Sequence, residues 1–156
     1  MAGHGAPTEQ SIDGSGLSIA IVYGQWHDEI TQGLLAGARR TLEAAGATIT
    51  EHPVPGSFEL PVVSQAVLER GADAVVALGV IIRGATPHFE YVSSAATQGL
   101  TDVALRTGKP VGFGVLTLDD EQQGLDRAGL PGSKEDKGEE AAAAAMVAAL
   151  AIRSLD

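Results

Sequence analysis

Apolar residues along the chain follow two alternating rhythms: short unbroken runs, and longer stretches spaced for one face of a helix. Residues 17–23 read LSIAIVY, a β-branched run that predicts a strand. Ile30, Leu34, Ala38 and Leu42 then recur every fourth residue, an amphipathic helix that Gly46 closes. Residues 47–54 (ATITEHPV) read as a second strand, and Pro55-Gly56-Ser57 opens a helix carrying Leu60, Val63 and Val67. The most apolar run, DAVVALGVII (73–82), is the third strand, and a helix is expected over 87–107. Lys109-Pro110 introduces the fourth strand, VGFGVLTL (111–118). The last helical portion is split: residues 119–129 lead into Gly-Leu-Pro-Gly, and Ser133 is expected to start a long helix through the alanine-rich stretch.

Four successive β–α units, with strands apolar throughout rather than alternating, call for a parallel sheet covered on both faces. The fold expected is a doubly wound, three-layer α/β/α sandwich around a four-stranded parallel sheet. Residues 1–13 are expected to form a mobile N-terminal segment, and residues 14–156 a single domain.

Charge and composition narrow the function. Ten Lys and Arg against 20 Asp and Glu give a net charge of −10, which argues against nucleic acid or an anionic membrane as the main partner. An anionic ligand would need a local basic pocket. Cysteine is absent, which excludes disulfides, thiolate metal sites and a Cys nucleophile. Residues 1–16 lack the pattern of a signal peptide, and the longest apolar stretch, Ala141–Ile152, is too short to span a bilayer. A cytoplasmic protein is expected.

Ligands of open α/β sheets bind beyond the carboxyl ends of the strands, so the strand-to-helix turns carry the candidates. In the third turn Gly84 permits close backbone approach, Thr86 suits a helix cap and Pro87 the first helical position. Free amides there suit a phosphate, and Arg83 favours an anion; a well-capped helix with no ligand is the alternative. His88, at the start of that helix, is an imidazole placed to move protons, with a surface or packing residue as the alternative. Trp26, the only tryptophan, falls in the first turn, where it either stacks on a planar ligand or packs on its own helix; His27 is a weaker candidate. Ser57 and Glu59 bring a hydroxyl and a carboxylate to the second turn, although a helix N-terminus already explains Glu59. Phe113 is either a further pocket wall or core. Arg127 and Lys137 flank the break between the last two helices and suit a phosphate, while a helix C-terminus equally explains Arg127. The Walker loop, the dinucleotide glycine fingerprint, the zinc-protease motif and the hydrolase elbow are all missing.

Five segments in order, GSFELP (56–61), ALGVIIRGATPHFEYV (77–92), GFGVLT (112–117), DRAG (126–129) and DKG (136–138), resemble those of the lumazine synthases, from about Leu17 to the C-terminus. The resemblance implies a flavodoxin-like fold whose N-terminal segment pairs with a neighbouring subunit. It also implies condensation of 5-amino-6-(D-ribitylamino)uracil with 3,4-dihydroxy-2-butanone 4-phosphate to 6,7-dimethyl-8-ribityllumazine. Phosphate and water leave, and neither metal nor organic cofactor takes part. Carried over residue by residue, His88 is the proton-transfer residue and Trp26 stacks on the pyrimidine. Ser57, Phe58 and Glu59 fall in the ribityl-binding turn, Val80 and Ile81 offer backbone groups to the ring, and Phe113 belongs with the substrate contacts. Gly84, Ala85 and Thr86 hold the phosphate, with Lys137 and with Arg127 lent by the adjacent subunit. Two departures stand out: Trp26-His27 replaces a frequent Phe-Asn, and Ser57 a frequent Ala. The loop from Gly129 to Gly138 resembles that of pentameric members, so a homopentamer with sites between subunits is expected, and the resemblance allows riboflavin synthase as a further partner. The competing reading is a non-catalytic, flavodoxin-like binder of riboflavin or another ribityl ligand, which would need neither His88 nor the cations Arg127 and Lys137.

Overall fold

Strand β3 (Ala74–Ile82) has no polar side chain, and β1 (Ser18–Gly24) carries only Ser18 and Tyr23, so both are driven to the centre of the sheet. The computed structural model describes residues 4–7 and 11–156. Strands β2 (Thr48–Val54) and β4 (Val111–Leu118) flank the central pair in the order β2-β1-β3-β4, with every pairing parallel. Helices α1 (Asp28–Ala44) and α5 (Lys137–Arg153) share one core with the sheet, built on Ile30, Leu34, Leu42 and Met146. Helices α2 (Leu60–Glu69) and α3 (His88–Thr107) cover the opposite face through Leu60, Leu68, Leu100 and Val103. The expected four-stranded α/β/α sandwich is therefore present, in the doubly wound strand order of flavodoxin-like folds.

Two local expectations differ from the structure. The strands are not apolar throughout: most side chains of β2 reach solvent, because an edge strand has only one neighbour to pair with. Its Pro53, which lacks an N–H, is tolerated for the same reason. The last helix starts at Lys137 rather than Ser133. The Ser133 hydroxyl is spent inside the preceding loop, accepting from Leu130 N (2.9 Å) and donating to the Leu125 carbonyl. Asp136 caps α5 instead, accepting from Glu139 N at 3.0 Å. The short helix α4 (Glu121–Leu125) is capped in the same way by Asp120.

Ile12 packs against the α1–α5 core, and Gly14 N donates to Ala45 O at 2.7 Å. The segment expected to be mobile lies partly outside the described residues. No helix among the described residues is long and apolar enough to cross a membrane.

Candidate active site at the switch point of the sheet

After β1 the chain turns to one face of the sheet, and after β3 it turns to the other, which leaves a gap between the two turns. The pairing register sizes that gap. β1 stays beside β3 only as far as the Tyr23–Leu78 pair, whereas β4 follows β3 to Leu118–Ile82. Residues Gly79–Ile82 thus have a free edge on the β1 side, with backbone groups that have no strand partner there. A cleft of about 670 Å³ opens over this edge, with Val80 and Ile81 on its floor. That volume suits small-molecule ligands.

The turn after β1 supplies one wall. Trp26 is 67% exposed, so it does not pack on its own helix as one reading allowed; its indole edge lies against Gly56, where an added Cβ would stand 3.1 Å from the ring. Thr31 closes the turn, its hydroxyl donating to Trp26 O (2.7 Å) and its N–H to His27 O (3.0 Å). His27 also lines the cleft, with φ 55°, the one positive φ outside glycine among the described residues. Its side chain makes no capping bond. Histidine and asparagine both tolerate this left-handed conformation, which accounts for His27 where the resembled pattern often has Asn. His27→Val should cost about 1–2 kcal/mol in chemical denaturation, since a β-branched side chain fits this region badly.

The second turn folds as a short 3₁₀ segment, Ser57–Glu59. Ser57 is buried against β3, and a side chain at Gly79 would overlap its hydroxyl. Glu59 Oε2 accepts from Gly56 N at 3.1 Å, the structural role its position suggested, while the residue also faces the cleft. Phe58 is exposed on the rim.

The third turn completes the enclosure with Gly84, Thr86 and His88. Ala85 is exposed on the same turn but does not line the cleft. The helix begins one residue later than expected: Pro87 is its cap, His88 its first residue, and Thr86 Oγ1 stands 3.5 Å from His88 N. The first amides of α3 have no carbonyl partner within the helix, and its first residues, His88 and Phe89, line the cleft, the placement an anion site would require. Arg83, in contrast, is engaged by carboxylates of its own chain. Its guanidinium bonds Glu90 (2.7 Å) and Asp119 (3.0 Å) and lies 4.3 Å from the centroid of the Phe89 ring. Hydrogen bonding to Arg83 holds the Glu90 carboxyl below its ordinary range. Phe89, Tyr91 and Val92 also line the cleft, and the turn-by-turn reading missed them. The available signal was spacing: Tyr91 lies three residues past His88, on the same side of the helix.

Besides Ala85, three expected residues lie away from this cleft on the same chain. Phe113 belongs to neither core nor cleft: it is 47% exposed on the edge strand β4, in a separate groove of about 320 Å³ beside Leu105 of α3. Arg127 donates to Gln123 O (2.9 Å) and lies 3.6 Å from Glu135. Lys137 stands 3.3 Å from Glu135 and 3.2 Å from Glu140. Among the described residues, no Lys or Arg lines the cleft.

Residues 16–153 match the family model described as 6,7-dimethyl-8-ribityllumazine synthase. Proteins of that name from Leifsonia xyli subsp. xyli and Clavibacter michiganensis subsp. michiganensis are 72% and 69% identical, over 99% of this chain and 99% and 98% of theirs. A third, from Kineococcus radiotolerans, is 60% identical over 99% of this chain and 96% of its own. A flavodoxin-like sheet with its cleft at the switch point, matched along nearly its whole length at such identities, places the chain in the 6,7-dimethyl-8-ribityllumazine synthase family.

Proposed function

We propose that this cleft is where the chain condenses 5-amino-6-(D-ribitylamino)uracil with 3,4-dihydroxy-2-butanone 4-phosphate, the penultimate step of riboflavin biosynthesis. The observation that carries the reading is one cleft with an exposed indole, a free strand edge and a helix N-terminus bearing an imidazole. In this reading the pyrimidine stacks on Trp26 and pairs with backbone groups of Val80 and Ile81, while the ribityl chain lies along Ser57, Phe58 and Glu59. The phosphate sits on Gly84, Ala85 and Thr86. The substrate's own 5-amino group attacks the ketone, so no protein nucleophile is needed. Water leaves as the imine forms, phosphate is eliminated, and the ribitylamino nitrogen closes the ring by adding to the remaining carbonyl with loss of a second water; His88 carries protons between these steps.

The cations come from elsewhere in the assembly. A dianionic phosphate in a cleft without Lys or Arg calls for charge from outside it, and Arg127 and Lys137 of an adjacent subunit are the groups we assign. A homopentamer with sites between subunits follows, each copy a single domain over residues 14–156. Phe113 is covered by a neighbouring subunit and joins that subunit's substrate contacts. We place its action in the cytoplasm. Light scattering should give about 80 kDa for five chains of 15.9 kDa, and a particle near 1 MDa would overturn the pentamer.

The test of the reaction is a two-substrate assay following lumazine absorbance together with phosphate release. Product formation that needs both substrates and exceeds the uncatalysed background is the expected result. A folded, oligomeric protein without acceleration would favour the non-catalytic ribityl binder.

Gly84→Ala separates the phosphate turn from the fold. A Cβ there meets nothing within 4 Å, so the melting temperature should hold while the methyl group obstructs close approach to the phosphate. KM for the butanone phosphate should rise about tenfold, equivalent to about 1.4 kcal/mol of lost binding.

A further inference from the structure

Arg83 directly precedes the phosphate turn, and its planar fork joins three segments of the chain. Nη1 bonds Glu90 in the first turn of α3 (2.7 Å), and Nε bonds Asp119 just beyond β4 (3.0 Å). The guanidinium lies 4.3 Å from the centroid of the ring of Phe89, which itself lines the cleft. The Arg83 backbone N–H donates to Leu118 O at 2.8 Å, so main chain and side chain both anchor to the end of β4. Asp119 is steadied in turn, its N–H donating to Gln123 Oε1 at 2.7 Å.

Exposed ion pairs of this kind contribute little to global stability. A fork held at both prongs fixes direction, however, which a lysine as a single point charge cannot do. The turn needs such a fix, because Gly84 has no side-chain packing and the Thr86 hydroxyl makes only a 3.5 Å contact with His88 N.

We propose that Arg83 is a positioning residue for the phosphate turn: without touching the phosphate, it clamps Glu90 and Asp119 so that the amides of Gly84–Thr86 and the first turn of α3 keep one orientation. The proposal rests on the reading that this turn binds phosphate.

Steady-state kinetics of the whole protein with each substrate varied in turn provide the test. For R83Q, KM for the butanone phosphate should rise about tenfold, with KM for the pyrimidine and the melting temperature nearly unchanged. R83K should recover only part of this. A double variant, Glu90→Ala with Asp119→Ala, distinguishes a clamp from a direct phosphate ligand. Freed of its carboxylates, an arginine that binds phosphate would lower that KM, whereas a clamp that has lost its anchors would raise it. A wild-type KM in R83Q, an equal rise in both KM values, or a lower phosphate-substrate KM in the double variant would each overturn the proposal. Inorganic phosphate should compete with the butanone phosphate on the unaltered protein. Lack of competition would remove the phosphate turn itself and the proposal with it. Competition alongside an unaffected R83Q would leave the turn standing and sink only the role of Arg83.

Discussion

His88→Ala should slow turnover by about 10²- to 10⁴-fold without abolishing it, the range general acid–base catalysis contributes. In the proposed mechanism the imidazole moves protons through imine formation, phosphate elimination and ring closure but forms no covalent bond with substrate, so its loss would leave every bond-forming partner in place. What remains is the holding of two small molecules in one cleft of about 670 Å³, which removes much of the association entropy. The loss should fall on kcat, with both KM values nearly unchanged, because the proposed binding mode rests the pyrimidine on Trp26 and the strand edge and the phosphate on backbone amides. His88 is exposed, so truncation should leave the melting temperature unaltered. Single-turnover measurement of lumazine formation, beside melting curves, checks both halves. A variant at the wild-type rate would remove His88 from the chemistry, and total inactivity in a folded protein would mean the cleft does more than bring reactants together.

That experiment concerns a residue the sequence located well, and the reason is topological. A parallel sheet places its strand-to-helix turns at one end, so Trp26, Ser57, Glu59, Gly84 and His88 were bound to converge once the four strands were recognised. β1 and β3 were legible because burial on both faces leaves an unbroken apolar run. β2 looked like one of them and is not, since an edge position is set by pairing order rather than by local composition. The start of α5 was obscured because Ser133 and Asp136 are equally good cap residues. Three-dimensional contacts chose between them: Asp136 also accepts from Arg40 at 2.8 Å and fills the space beside Gly37 and Gly129. Arg83 was read as an anion signal because its partners, Glu90 and Asp119, come from two different elements. The left-handed backbone of His27 leaves no single-residue signature either, since histidine occurs freely in ordinary conformations.

Gly138→Ala should be the most damaging small substitution in the fold, although alanine is by about 1 kcal/mol the better helix former. Gly138 is the second residue of α5, and its Cα lies against the backbone of Leu34 in the middle of α1. An added Cβ would overlap the Leu34 carbonyl oxygen and stand 2.8 Å from its carbon. Those are main-chain atoms, which cannot rotate aside as a side chain would. Nor can α1 retreat, because Ile30, Leu34 and Leu42 are buried in the sheet, and Gly33 and Gly37 already bring the same helix against Ala128 and Asp136. The strain must therefore lift α5, moving Ala142, Ala145 and Met146 away from the core they share with α1. Overpacking of this kind costs about 3 kcal/mol, which for a domain of this size lowers the melting temperature by about 10 °C. Gly84→Ala is the matched control, the same added methyl group in open space, with no expected change in melting temperature. If Gly138→Ala melted with the wild type, the close approach of α1 and α5 would be a contact that yields, and the run of small residues along α5 would then owe its presence to helix propensity alone.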